Sequence, residues 1–311
     1  MNQIHYLYLY LLSPLHTGGT TQEGNLVGIA RESHTNLPYI PSSTIRGRLR
    51  ASVNDEALRV QLFGPELTDI KSPTASETSP NLSPESSQLE QGDIWLGDAS
   101  LLWLPVSSLS HGVVWISSPM LLRRWARFVA DLSTIPNPYS TNLVSETTEN
   151  PRPIYLKDAI IKDSLQPWSN WQAFVPQAEN QSEIQRVLLL PDQHCSTLIQ
   201  MSLWRQVKIK LDAHKSVEGG FRYEEAIPPD TLMYVPWGVT SQVNSKATTK
   251  RGQELANRRQ GLAEGYGMSS TENGVDLARG LFELLLDEEE RNILQIGGQE
   301  SLGRGFVQQF R

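Results

Sequence analysis

Cysteine is nearly missing from this sequence: Cys195 is the only one in 311 residues. That excludes an intramolecular disulfide and any cysteine-rich zinc knuckle. The six histidines are scattered, with none in the H-E-x-x-H spacing of a metallohydrolase helix, so no metal site is expected. Long apolar runs are missing too. None approaches the ~20 residues that span a bilayer, and the first residues lack a cationic stretch followed by a cleavable apolar one. These absences point away from membranes and export and toward the cytoplasm. Nor is there an excess of positive charge: 27 Lys and Arg face 34 Asp and Glu, for a formal charge of −7. A protein that coats itself with nucleic acid through its overall field is therefore excluded. Local charge is another matter. Arg46, Arg48 and Arg50 cluster, as do Arg123, Arg124 and Arg127, and Lys246, Lys250, Arg251, Arg258 and Arg259. The acidic run Asp287, Glu288, Glu289 and Glu290 lies apart from them, which leaves room for a basic groove on an acidic body.

What is present reads as globular, with 39% hydrophobic and 20% charged residues. Residues 4 to 12, "IHYLYLYLL", alternate tyrosine with aliphatic side chains, the period of a strand with two differently covered faces. A glycine-containing loop to about Pro41 follows. "SSTIRGRLRASV" then opens a helix with Ser42 or Ser43 as N-cap and Ile45, Leu49 and Val53 on one face. Residues 69 to 92 are rich in Ser, Pro and Glu without periodic apolar positions, and read as a flexible insertion within one domain. "ASLLWLPVSS" and "GVVWIS" form a strand pair, and Pro119 suits the first turn of a helix carrying Leu121, Trp125, Phe128, Val129 and Leu132 on one face. "RVLLLP", "SLWRQVKIKL" and "DTLMYVPWGV" read as strands, "DLARGLFELLL" as a helix and "GFVQQF" as a last strand, while residues 133 to 185 give no clear pattern. The fold class is α+β. The order strand, helix, two strands, helix, strand is that of a ferredoxin-like (RRM-like) sheet with long insertions, whose one open face can hold single-stranded nucleotides.

Three stretches carry candidate chemistry. "GGQESLGRGFVQQF" near the end holds Gly297, Gly298, Ser301, Gly303 and Arg304; its glycines let backbone N–H groups approach an anion, and Arg304 adds a fork of donors. It fits neither a dinucleotide fingerprint nor a P-loop, and a tight structural turn explains the glycines equally well. "PSSTIRGRLR" sets Ser43, Arg46 and Arg50 at a helix N-terminus, where unpaired N–H groups favour a phosphate; an ordinary capped, solvated helix is the simpler alternative. His16 and His34 are candidates for acid–base chemistry or phosphate binding, and Glu224 and Glu225 for metal binding or acid–base work, although adjacent strand residues point to opposite faces, so one site receives at most one of the two glutamates.

Together, "LLSPLHTGG", "RESHTNLPYIPSSTIRGRLR", "GDASLLWLPVSSLSHGVVWISSPMLLRR", "YEEAIPPDTLMY" and "GGQESLGRGFV" resemble, in order and wording, the RAMP-superfamily backbone subunits of type III CRISPR effectors. The likeness is strongest to the fourth subunit of the Cmr (type III-B) complex and runs from residue 4 to 310. It implies a single domain over residues 1–311, a ferredoxin-like palm with an inserted thumb β-hairpin, stacked in several copies along a CRISPR RNA. The phosphates of the closing loop would then be those of the guide. His16, Ser43, Arg46, Arg50, Gly297, Gly298, Ser301, Gly303 and Arg304 would line it without reading its sequence. The thumb is expected within residues 236–275, with Lys246, Lys250 and Arg251, and would wedge into the duplex of guide and complementary target RNA. Partners would be those two RNAs, other effector subunits and further copies of the chain. Active relatives cut target RNA with a loop aspartate and a divalent metal. Leu26, beside Asn25, stands at that position here, so catalysis is expected to be lost or weakened, with His16, Glu224 and Glu225 as the remaining candidates and Mg²⁺ as cofactor only if cutting is retained.

Overall fold

The computed structural model describes residues 4–23, 26–65, 91–129, 134–145, 152–162, 165–176, 183–244, 250–269, 272–287 and 292–311. The expected insertion at 69–92 lies outside these but for its last two residues, as do Asn25 and Lys246.

In chain order, β1 (His5–Leu11), β2 (Gly18–Glu23) and β3 (Leu26–Ile29) precede α1 (Ser42–Ser52) and α2 (Glu56–Phe63). Next come β4 (Ile94–Leu96), β5 (Ser100–Ser108), β6 (Gly112–Ser117) and α3 (Pro119–Ala126). The short strands β7 (Ser140–Thr141), β8 (Ile154–Leu156), β9 (Ala159–Ile161) and β10 (Gln166–Pro167) lead to β11 (Val187–Leu189) and α4 (Asp192–Ser202). The last third holds β12 (Trp204–Leu211), β13 (Val217–Ala226), β14 (Leu232–Val239), α5 (Ser241–Asn244), α6 (Lys250–Gly265), α7 (Gly274–Asp287), β15 (Ile293–Gln295) and β16 (Phe306–Phe310). The chain divides into two compact units, and two of the boundaries fall inside α1 and β14.

The larger unit takes His5–Ile45, Gly97–Pro236 and Arg291–Arg311. Its main sheet runs β10-β7-β11-β6-β5-β14-β1-β16-β15, and a second sheet runs β12-β13-β3-β2. The fold is thus mixed α and β. The alternation in β1 has its expected consequence, because Tyr8 and Tyr10 face one side and Leu7, Leu9 and Leu11 the other. All five are buried, however, so β1 offers no open face to a nucleotide. Tyr8 and Tyr10 belong to an aromatic core with Trp103, Trp115, Trp125, Trp168 and Phe174, which Leu122, Val175, Ile184, Val187 and Leu189 complete. Their polar tips are satisfied inside: Trp125 donates to the Tyr8 hydroxyl at 3.0 Å, and Tyr10 donates to Asp230 at 3.0 Å. Burial is the first cause that raises the pKa of both tyrosines, so both remain neutral donors and acceptors. α3 begins as its sequence requires, with Pro119 in the first turn and the Ser118 hydroxyl accepting from the Leu121 N–H. It ends at Ala126, and Phe128 and Val129 pack beyond it; Leu132 lies outside the described residues.

The smaller unit takes Arg46–Leu96 and Trp237–Glu290, with the first four residues. Here α2, α6 and α7 pack together beside β4, and Phe282 of α7 meets Phe63 and Trp237 edge-on, at 6.2 and 4.7 Å between centroids. Among the described residues, 236–275 hold the end of β14, helices α5 and α6 and the start of α7, and no thumb β-hairpin. Glycines at 252, 261 and 265 made the segment read as a loop-like insertion, but Leu255, Arg259, Leu262 and Ala263 repeat at helical spacing and half-bury or bury one face.

Candidate nucleic-acid interface

The closing loop is held between two backbone segments of the larger unit. His16 pairs with Gly298 in an isolated bridge, whose Gly298 N–H donates to the His16 carbonyl at 2.9 Å. A side chain at Gly297, where φ is +90°, would meet that same carbonyl oxygen at 2.6 Å. Gly297 thus serves close backbone approach, the structural alternative raised by the sequence, whereas a Cβ at Gly298 would make only ordinary contact with the His16 ring at 3.5 Å. Ser301 and Gly303, on the short helical turn Glu300–Leu302 and just after it, are exposed at the loop's tip. The His16 ring is buried, with Nδ1 hydrogen-bonded to the Glu225 backbone carbonyl at 2.8 Å. That contact makes Nδ1 the protonated nitrogen and fixes the ring.

Glu224 and Glu225 leave β13 on opposite faces, as strand geometry demands, and each collects cations. Glu224 is met by Lys208 at 2.7 Å, Arg304 at 3.1 Å and Arg222 at 3.2 Å. Glu225 is met by Arg31 at 2.5 Å and Arg205 at 3.1 Å. Both carboxylates are buried. Two carboxylates therefore hold five cations, an arrangement with positive charge to spare. Burial by itself would raise the Glu224 pKa, but the Lys208 hydrogen bond and charge, with Arg304 behind them, outweigh it and hold the carboxyl below its usual value. A depressed folded-state pKa contributes stability that is full above the unfolded-state pKa of about 4.5 and is lost as pH falls through the lower folded value. Glu224→Gln is accordingly expected to lower stability near neutral pH and to flatten its fall below about pH 4.5 in denaturant titrations. Parallel acid profiles for the two proteins would remove Glu224 from this role.

Arg304 is itself buried. Besides Glu224, its guanidinium donates to Gln299 and, at 2.7 Å, to Gln206, and it lies over the Trp204 ring at 4.6 Å. The expected helix N-terminal site is also furnished internally, because the Ser42 N–H at the start of α1 donates to the Asp98 carboxylate at 2.7 Å. That carboxylate does what a phosphate would do there. Ser43 is exposed beside it. In the smaller unit, Arg46 donates to the carbonyls of Ile94 and Phe63, and Arg50 to that of Gly64, capping the C-terminal end of α2. Glu32 binds Arg124 through both oxygens at 3.0 Å, and Arg124 reaches His34 Nε2 at 3.1 Å. Leu26, half-buried at the start of β3, lies opposite Tyr223 of β13 and contributes no polar atom.

The element left most open is the β12–β13 ribbon, whose outer part is exposed on both faces. Its cross-strand pairs sort by chemistry. Val207 faces Tyr223, Ile209 faces Phe221 and Leu211 faces Val217 on one side, while Lys208 faces Arg222 on the other, with Lys210 further out. Phe221 and Tyr223 form an edge-on pair at 5.5 Å between centroids.

The sequence profile of the RAMP superfamily matches residues 8–308. The chain belongs to the RAMP superfamily. It is 29% identical over 320 residues, 96% of this chain and 92% of the other, to the CRISPR system Cmr endoribonuclease Cmr4 of Pyrococcus furiosus. The crystal structure of oligomeric Cmr4 from that organism superposes with a TM-score of 0.63 at 23% identity, covering 99% of this chain and 97% of that one. A chain of the type III-B Cmr-beta complex bound to cognate target RNA superposes with a TM-score of 0.65 at 17% identity, covering 98% and 96%.

In this RAMP chain the ribbon is what residue patterns had left unread. "WRQVKIKL" was legible as a strand, but its alternation is not that of a core strand: cations and aliphatics interleave, and the answering "VEGGFRY" places Phe221 and Tyr223 opposite the aliphatics. A strand polar on one face and apolar on the other, followed at hairpin distance by a glycine-containing mate, is the signal that would have found it.

Proposed function

We propose that this chain is a guide (CRISPR) RNA-binding backbone subunit of a type III antiviral ribonucleoprotein. It stacks with further copies of itself and with other effector subunits along the guide, and shapes the duplex of guide and target. The observation that carries this reading is the β12–β13 ribbon, rooted in five cations around two carboxylates and presenting basic residues on one face and aromatic and aliphatic ones on the other. Cations that follow a phosphate backbone, with aromatic rings on which bases stack, are what sequence-independent RNA binding requires. The ribbon takes the thumb role that the sequence had put in residues 236–275. The twelve-stranded main sheet is its palm, ferredoxin-like in this reading, and Ser301, Gly303 and Ser43 are the fully exposed members of the expected phosphate set. The likeness to a Cmr4, and to a chain of a complex bound to target RNA, supports the same assignment.

The relative is named an endoribonuclease. In this chain Glu224 and Glu225 are engaged by cations and His16 Nδ1 by a carbonyl, with Leu26 nearby in sequence where an aspartate was expected. The reading is therefore of a subunit that grips RNA without cutting it. The test is the reconstituted effector with labelled complementary RNA, with and without Mg²⁺, sized on a gel. Tight binding without products is expected, and so is a loss of about 1–3 kcal/mol in target affinity for Phe221→Ala with Tyr223→Ala. Regularly spaced, Mg²⁺-dependent products that vanish in His16→Ala would make the chain a nuclease. Unchanged affinity in the aromatic variant would remove the ribbon from the RNA.

A further inference from the structure

The sequence gives Arg304 the features of a phosphate ligand, an arginine between two glycines in an exposed-looking loop. Its surroundings say otherwise. Its guanidinium is engaged by Glu224 at 3.1 Å, Gln206 at 2.7 Å and Gln299, and lies over the face of Trp204 at 4.6 Å. The side chain is only 5% exposed and Glu224 only 1%. The partners fall into two groups. Gln299 belongs to the closing loop itself, whereas Trp204, Gln206 and Glu224 all lie at the root of the β12–β13 ribbon. The loop's backbone leans on the same residue, because Gln295 Nε2 donates to the Arg304 carbonyl at 3.0 Å.

We infer that Arg304 is a positioning residue, a clamp that fixes the glycine loop to the root of the ribbon so that the loop tip and the ribbon's basic face are presented to one RNA strand together. The inference rests on the RNA-binding reading for its consequence, but not for its geometry. Glu224 is the clamp's other jaw: it joins Arg304 to Lys208 and Arg222, which face solvent further along the ribbon. A planar fork that serves three acceptors while stacked on an indole is a task lysine cannot take over.

The two roles differ in sign at Glu224. If Arg304 touched phosphate, Glu224→Gln would remove a repelling charge and strengthen RNA binding. In a clamp the same change weakens it. The experiment measures the affinity of the full chain for a fluorescein-labelled single-stranded RNA by anisotropy, over a series of KCl concentrations. The variants are Arg304→Gln, Arg304→Lys, Glu224→Gln and the double variant Arg304→Gln with Glu224→Gln. Expected are about tenfold losses for each single change, including Arg304→Lys, a double variant no worse than either, and an unchanged slope of log affinity on log salt. A slope reduced by about 0.7, rescue by lysine, or tighter binding by Glu224→Gln would each overturn the clamp in favour of a phosphate contact.

Hydrogen exchange read without RNA separates this inference from the reading beneath it. In Arg304→Gln, peptides covering residues 297–305 should lose protection while β1 keeps it. Unchanged loop protection overturns the clamp whether or not the chain binds RNA. Wild-type chain that shows no salt-dependent RNA affinity overturns the RNA reading, and the exchange result then decides the clamp alone. Should β1 also lose protection, Gln299→Ala, which leaves Arg304 and its bonds to Glu224 and Gln206 in place, replaces Arg304→Gln and is expected to loosen the loop alone.

Discussion

Gly305→Ala is expected to destabilise the larger unit by about 3 kcal/mol, the sum of a left-handed backbone strain of about 1–2 kcal/mol and a steric penalty of about 1–3 kcal/mol. Gly305 sits where two backbones cross. Its N–H donates to the Pro14 carbonyl at 3.0 Å, and its carbonyl accepts from Ile296 at 2.8 Å. With φ at +78°, a Cβ would overlap the Ile296 carbonyl oxygen, which is backbone and cannot step aside. Gly303 is the built-in control. Its φ is similar at +72°, yet nothing lies within 4 Å of where a Cβ would stand. Gly303→Ala should therefore cost only the backbone term, about 1 kcal/mol. Denaturant unfolding of both variants separates the two contributions, and equal losses would mean that the crossing at Ile296 relaxes freely.

That pair of glycines also marks how far the sequence was readable. The motif G-G-x-x-S-x-G-R-G announced a special backbone, and the backbone is special: Gly297, Gly303 and Gly305 all have positive φ, as does Gln299 between them. What the motif left undecided was whether the glycines make room for a ligand or for another part of the chain. At Gly297 and Gly305 it is the chain: the His16 carbonyl, remote in sequence, meets the first, and the Ile296 carbonyl, just past the antiparallel neighbour of the closing strand, meets the second. The same limit applies to the arginines. Arg46, Arg50 and Arg304 were legible as cations near helix ends and glycines, but their carbonyl and carboxylate partners are defined only by tertiary structure.

Local patterns served better where a single physical cause dominates. Period-2 alternation located β1, the aliphatic runs located β5, β6 and β14, and the i, i+4 spacing of Ile45 and Leu49 located α1, with those side chains and Val53 buried as expected. Residues 20 to 41, read as a loop, instead hold most of β2 and all of β3, which pair with each other, and β3 pairs in turn with β13. α2 was missed although Asp55 is an N-cap whose carboxylate accepts from the Ala57 and Leu58 N–H groups, with Leu58 and Leu62 one turn apart beneath it.

Asp93→Ala is expected to cost about 3–5 kcal/mol in the smaller unit, because it strands a buried guanidinium. Arg259 of α6 is only 7% exposed and meets both oxygens of Asp93, at 2.6 and 2.8 Å. Gln61 of α2 donates to the same carboxylate at 2.7 Å, so one side chain joins two helices to the start of β4. By sequence Arg259 belongs to a basic cluster that leaves room for a groove. Its engagement by Asp93 is the reason that segment is a packed helix. Chemical denaturation followed by tryptophan fluorescence and by exchange in α6 reads the loss. The decisive comparison is Asp93→Leu with Arg259→Met, which replaces both charges with apolar groups and should recover most of the stability. If Asp93→Ala costs less than about 1 kcal/mol, the guanidinium finds water or another acceptor, and the pair does not hold α6 in place. If the apolar double variant is as unstable as Asp93→Ala, the contribution comes from the hydrogen-bond geometry of the pair, with Gln61 as its third member, and not from relief of an unpaired charge.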